Sequence, residues 1–70
     1  MSDNVYAVSE IVGSSSGSIE EAIENALTRA RKTLRNLDWF ETTEIRGHLA
    51  DDGTVGHYQV SLKLGFRMEE

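Results

Sequence analysis

The clearest pattern in the chain is the strict alternation of its last third. Tyr58, Val60, Leu62, Leu64, Phe66 and Met68 fall on one face, and His57, Gln59, Ser61, Lys63 and Arg67 on the other. A period of two marks a half-buried strand. Upstream, Asp52-Gly53 sits between two such runs, and Gly readily takes the positive φ of a tight turn. The pattern therefore predicts one long β-hairpin over residues 39–68, closed at Asp52-Gly53. With those two as the loop, Asp51 faces Thr54, Leu49 faces Gly56, Gly47 faces Tyr58 and Ile45 faces Val60. The opposite face pairs His48 with His57, Arg46 with Gln59, Glu44 with Ser61 and Thr42 with Lys63. Apolar or Gly positions meet their own kind, and so do polar ones. A slip of one residue would reverse that sorting, so the sequence selects its register.

Residues 5–13 (VYAVSEIVG) are rich in Val, Ile and Tyr and predict a first strand. Val5, Ala7, Ser9 and Ile11 share one face, while Tyr6, Val8, Glu10 and Val12 share the other. Apolar residues on both faces suggest that both are covered, which one helix cannot manage. Ser14-Ser15-Ser16-Gly17 reads as a plain connector. Ser18 with Glu21 three residues later forms a capping box, and Glu20, Glu21 and Glu24 lie where a helix dipole favours negative charge. Ile19, Ala22, Ile23, Ala26, Leu27, Ala30, Thr33, Leu34 and Leu37 then form a broad apolar stripe at the helical period. The helix is expected to stop near residues 36–38, with the chain entering the hairpin at Trp39. The order is β-α-β-β, an α+β fold in which strands 1 and 3 pair and the helix lies on the oily face.

Seventy residues make one domain, 1–70, and a small one. Such a chain buries only about 60% of the surface it exposes when unfolded. It has no Cys, so neither a disulfide nor a thiolate metal site can help, and oligomerisation is the remaining remedy. A net charge of −5 argues against a nucleic-acid binder, and Arg29, Arg31, Lys32 and Arg35 read as charges complementing the helix dipole. No apolar run approaches the roughly 20 residues of a membrane span, and the N-terminus lacks a signal-peptide core. The expectation is a cytoplasmic protein without membrane or nucleic-acid partners.

Few residues could carry chemistry. His48 and His57 are cross-strand neighbours, but a metal site wants three or four ligands, and Glu44 lies four residues from His48 along an extended strand. No Ser has an evident His partner and orienting acid, so no catalytic residue is assigned. Trp39 is more informative. On composition alone a lone Trp is a core or interface residue. Yet Gln59, Arg46, His48 and Lys63 on a broad polar face beside it resemble the wall of a site for a flat heteroaromatic ligand. An indole stacks on such a ring, and an amide can satisfy donors and acceptors along its edge.

Leu37-Asp38-Trp39-Phe40, Ile45-Arg46-Gly47-His48, Tyr58-Gln59-Val60 and Leu64-Gly65-Phe66-Arg67 together resemble the dodecins, small flavin-binding proteins. Ile11-Val12-Gly13-Ser14 and the helical Ala22, Ala26 and Ala30 extend the likeness to nearly the whole chain. The resemblance implies a three-stranded antiparallel sheet partly wrapping one helix, and twelve copies forming a hollow homododecamer. It implies a flavin between subunits, FMN first with riboflavin or FAD as alternatives, stacked on Trp39 with Gln59 on its pyrimidine edge. Arg46 and Arg67 match basic positions near that pocket, and coenzyme A accompanies FMN in bacterial members. Storage, sequestration and photoprotection of flavin follow, without catalysis. The turn over residues 51–54 is one residue longer than in some dodecins. Two rival readings stand beside this one: an assembly protein or coenzyme A shell without flavin, and a small enzyme using His48 and His57.

Overall fold

The computed structural model describes residues 3–69; residues 1, 2 and 70, part of the loose ends expected from sequence, lie outside that span. The elements run β1 (Tyr6–Ser15), α1 (Ile19–Ala30), β2 (Leu37–Leu49) and β3 (Val55–Arg67). The strands form one antiparallel sheet in the order β1-β3-β2. This is the expected α+β arrangement, with the most regularly alternating strand in the centre.

Alternation in β3 translates directly into burial. Val60, Leu62 and Leu64 are fully buried beneath Ala22, Ala26 and Ala30 of α1. The alanines recur every fourth residue and therefore share one helix face. Small side chains let the helix approach the sheet closely, and Gly13 completes the fit. A Cβ on Gly13 would lie 2.8 Å from the Ala26 Cβ and closer still to the Ala22 carbonyl oxygen. Ile11, Ile19, Ile23, Leu27, Leu34 and Leu37 rim this core.

The helix begins as expected and ends early. Ser18 Oγ accepts the Glu21 N–H at 3.0 Å. Only half of the capping box forms, because the Glu21 carboxylate accepts instead from Ser15 Oγ. Ser15 is buried and is the last residue of β1, so the connector is shorter than the composition of residues 14–17 suggests. At the other end α1 stops at Ala30, six or more residues before the expected boundary. Lys32 and Thr33 donate to Arg29 and Ala30, three residues back, which tightens the last turn. Asn36 then takes a φ of 61°, a left-handed conformation that Asn tolerates and that turns the chain into β2. Leu34, in the connection, and Leu37, the first residue of β2, still pack against the core, so the stripe was apolar for packing reasons and not because it was all helical.

Pairing of residues 44–48 with 57–61 is as expected. Both ends of the hairpin differ. The loop holds three residues, Asp51-Asp52-Gly53, with the Ala50 N–H donating to Thr54 O at 2.7 Å and the Gly53 N–H to Ala50 O at 2.9 Å. Gly53 has a φ of 86°, the left-handed residue that such loops require. Asp52 Oδ1 accepts from both the Thr54 N–H (3.0 Å) and its hydroxyl (2.6 Å), which holds the Asp52 carboxyl below its usual range. Leu49 consequently faces Val55, not Gly56, and Gly56 becomes the extra residue that restores register at His57. Toward the open end Thr43 is extra on β2, so Thr42 faces Leu62 and Glu41 faces Lys63. Asp38 is a second extra residue, between Trp39 opposite Gly65 and Leu37 opposite Phe66.

The outline is elongated, 56 × 20 × 14 Å with a radius of gyration of 14.7 Å. A compact chain of this length has a radius of about 11 Å. Accessible area is 5140 Å², against about 4,400 Å² for a folded monomer of this mass. The cause is a mismatch of lengths. Twelve helical residues span about 18 Å, whereas a thirteen-residue strand spans roughly 43 Å. Leu49 and Val55 lie beyond the helix, Ile45 lies on the edge strand beside buried Val60, and the three remain 48–72% exposed. Among the described residues no helix is long and apolar enough to cross a membrane.

Candidate functional site

The face of the sheet away from α1 carries the candidate residues, and the β2 bulge decides that Trp39 is among them. In an unbroken strand Trp39 would share its face with Ile45 and Gly47, against the helix. The extra Thr43 reverses the alternation, so Trp39 and Glu41 join Glu44, Arg46 and His48 on the polar side. There the indole lies across Gly65, where a Cβ would stand 2.5 Å from Cδ2 and closer to Cε2 and Cζ2. Trp39 keeps 40% of its surface exposed. Tyr6 flanks it, with ring centroids 6.1 Å apart and planes tilted by 50°. The Tyr6 hydroxyl donates to Asp38 Oδ2 at 2.9 Å. That bond, helped by slight burial and by the Asp38 charge, raises the Tyr6 pKa above its ordinary value.

Arg67 occupies the same end of the sheet, opposite Tyr6. Its backbone is fixed by Asn36, whose carbonyl accepts the Arg67 N–H at 3.0 Å and whose side chain donates to Arg67 O at 3.3 Å. The other two predicted residues lie toward the hairpin tip. Arg46 faces Gln59 in register. Its guanidinium contacts Glu44 Oε1 at 2.9 Å and Ser61 Oγ at 3.1 Å. Gln59 Oε1 lies 3.1 Å from His48 Nε2. His48 and His57 stack with centroids 4.6 Å apart and planes within 10°.

The four residues thus share a face but not a place. Gln59 and Gly65, the seat of Trp39, are six residues apart on β3, about 20 Å along the strand. A flat ring stacked on the indole therefore does not reach the amide of the same chain. A hollow of about 180 Å³ beside Trp39, bounded by Leu27, Arg31, Leu37, Asp38 and Phe40, is too small for such a ligand. Three larger hollows, one between α1 and β1 and two beside the C-terminal end of the described chain, are lined by neither Trp39 nor Gln59, and Arg67 lines the latter two. Among the described residues no group of three or more His, Asp or Glu could hold a metal ion.

Sequence reasoning passed over Gly65, Tyr6 and Asp38. Gly inside a strand does signal close approach of another group, so Gly65 was legible in principle. Tyr6 and Asp38 carried no such signal, because their contact depends on which residue of β2 bulges.

Comparison with known proteins bears on this arrangement. The dodecin family model matches residues 5–69. A dodecin of Thermus thermophilus is 58% identical over 94% of this chain and 94% of its own. The dodecin of Streptomyces coelicolor has 56% identity and a TM-score of 0.92, covering 100% of this chain and 99% of that one. A more distant structure is the calcium dodecin of Mycobacterium tuberculosis, described with a calcium-binding site. It is 29% identical with a TM-score of 0.80, over 93% of this chain and 91% of that one. The β-α-β-β order, the helix on one face of the antiparallel sheet and a match spanning almost every described residue lead to one conclusion: the chain belongs to the dodecin family.

Proposed function

We propose that this protein stores and sequesters a flavin, FMN foremost, in sites completed between copies of the chain, and that it binds without catalysing a reaction. The observation that carries this reading is the separation of Trp39 from Gln59 on one exposed face. Each is placed to meet a flat ring, the indole by its open face and the amide by its hydrogen-bonding end, yet one chain cannot bring both to the same ring. A second copy supplies the missing half. The elongated outline and the exposed Ile45, Leu49 and Val55 support self-assembly independently, since burying such surface is the main available source of further stability. A closed dodecamer is the assembly this reading favours.

Within that site each residue has a defined task. Gly65 seats the indole flat, and Trp39 offers its exposed surface for stacking. Gln59 hydrogen-bonds the pyrimidine edge of a ring held by the neighbouring copy. Arg67, at the indole end, is placed for a phosphate of FMN or of coenzyme A. Arg46 is tied to Glu44 and Ser61 and shapes the wall beside Gln59. A bound flavin would have its excited state quenched by electron transfer from the indole, and enclosure would limit its photochemistry. His48 and His57 stack on each other, and His48 is engaged with Gln59, which fits wall residues better than a catalytic pair. A reducing cytoplasm suits a chain without Cys.

The test is direct. Small molecules released by denaturing the native particle are identified by mass spectrometry, and added FMN is followed by fluorescence. A colourless protein that leaves FMN fluorescence unquenched sinks the flavin reading in favour of an assembly protein or coenzyme A shell. Trp39→Ala is expected to weaken FMN binding by about 10- to 100-fold, the worth of one aromatic stack, with the particle mass unchanged. Unaltered affinity would refute the stacking role.

A further inference from the structure

One end of the Gln59 amide is already committed. Its Oε1 faces His48 Nε2 at 3.1 Å, and because an amide oxygen only accepts, this contact is a hydrogen bond in the His48 tautomer that carries its proton on Nε2. The imidazole is itself braced. His57, its register partner on β3, stacks on it nearly parallel. Gln59 lies diagonally across from His48 and directly opposite Arg46, whose guanidinium points to Glu44 and Ser61 instead. With Oε1 turned toward His48, the amide nitrogen with its two N–H groups is the end left for whatever docks on this face.

We infer that His48 is a positioning residue: by donating to Oε1 it fixes Gln59 as a hydrogen-bond donor, so the site selects a ring edge that presents an acceptor there, a carbonyl oxygen or an unprotonated ring nitrogen. This rests on the flavin reading and refines it. The pyrimidine edge of a flavin carries both acceptors and an N–H, and an amide free to rotate could address either. Held by His48, Gln59 addresses the acceptors. His57 contributes by keeping the imidazole from turning away.

Substitutions separate this role from simple packing of two rings. His48→Phe keeps a ring for the stack and removes the donor. His48→Gln removes the ring and keeps an N–H donor. By FMN quenching titration, His48→Phe is expected to raise Kd about three- to tenfold, the worth of a hydrogen bond. His48→Gln is expected to stay within about twofold of the unsubstituted protein. In a Gln59→Ala background, His48→Phe should change nothing further, because the group it positions is gone. Unchanged affinity for His48→Phe, or equal losses for Phe and Gln, overturns the positioning role while leaving flavin binding intact. If His48→Phe fails to assemble, Gln59→Glu decides the matter, since it can still accept from His48 but has no donor to offer. Undiminished FMN affinity there overturns the inference. Absence of quenching by the unsubstituted protein overturns the flavin reading itself, and this inference with it.

Discussion

The indole of Trp39 rests on the backbone of Gly65, with no room between them for even a methyl group. Gly65 is therefore part of the aromatic platform, although it contributes no side chain. Gly65→Ala is expected to lift the ring and to cost about 1–3 kcal/mol through overpacking. Denaturation midpoint and tryptophan emission measure the two effects together. If neither moves, the indole does not lie where the structure puts it.

Thr43 is the residue that β2 loops out so that Trp39 stays on the outward face. Its hydroxyl donates to Ser61 O at 3.2 Å, but its main effect is to add one position to β2 without adding one to β3. Deleting Thr43 removes that extra position and leaves Trp39 opposite Gly65 by plain alternation. FMN quenching is therefore expected to persist in the deletion variant, as in Thr43→Ala. Loss of quenching on deletion alone would show that the local twist of the bulge, and not alternation, sets the platform.

Gly13 plays the corresponding part on the opposite face. A Cβ there collides with the Ala22 carbonyl, which is backbone and cannot rotate away. Gly13→Ala should push α1 off the sheet and destabilise the protein by about 1–3 kcal/mol, measured by chemical denaturation. Ser14→Ala, one residue on and facing away from the helix, should change stability little. A similar midpoint for both variants would contradict the close helix–sheet contact.

Tyr6 links the platform to pH. Its hydroxyl donates to the Asp38 carboxylate, and this bond favours the neutral phenol and raises its pKa in the folded state. The sign follows from that direction. The contribution is fully present below the unfolded value near 10 and is lost as pH rises through the higher folded value. Absorbance titration of the phenolate, with Tyr6→Phe isolating the signal of Tyr58, should show Tyr6 ionising later than a free tyrosine. Asp38→Asn should move it back toward 10. An unshifted Tyr6 in the unsubstituted protein would remove the proposed contact.

Much of the architecture was already written in local signals. Alternation from Tyr58 to Phe66 named the buried face of β3, and Val60, Leu62 and Leu64 fill it. Polar and apolar sorting selected the pairing of residues 44–48 with 57–61, because a slip of one residue would bury imidazoles and a guanidinium. Ser18 marked the start of α1, since a cap acts only on the N–H groups within its reach. Trp39 and Gln59 stood out as chemistry, and Gln59 as part of a polar face away from the helix.

What local signals could not decide was anything that depends on a partner strand. Bulges at Thr43 and Asp38 are properties of two strands together: an extra residue costs little where the partner's hydrogen bonds can skip it, and no single-strand pattern records where that is. The same holds for the end of α1, where Leu34 fits a helical stripe equally well from the connection and Leu37 from the start of β2. So the sequence alone determined which residues are apolar, which strand is central and where the helix begins. Tertiary structure determined that the indole faces away from the helix, that Gly65 seats it, and that roughly 20 Å of sheet separates it from the amide. Side-chain direction along a strand is a parity, and one residue inserted at one hydrogen-bond position is enough to reverse it.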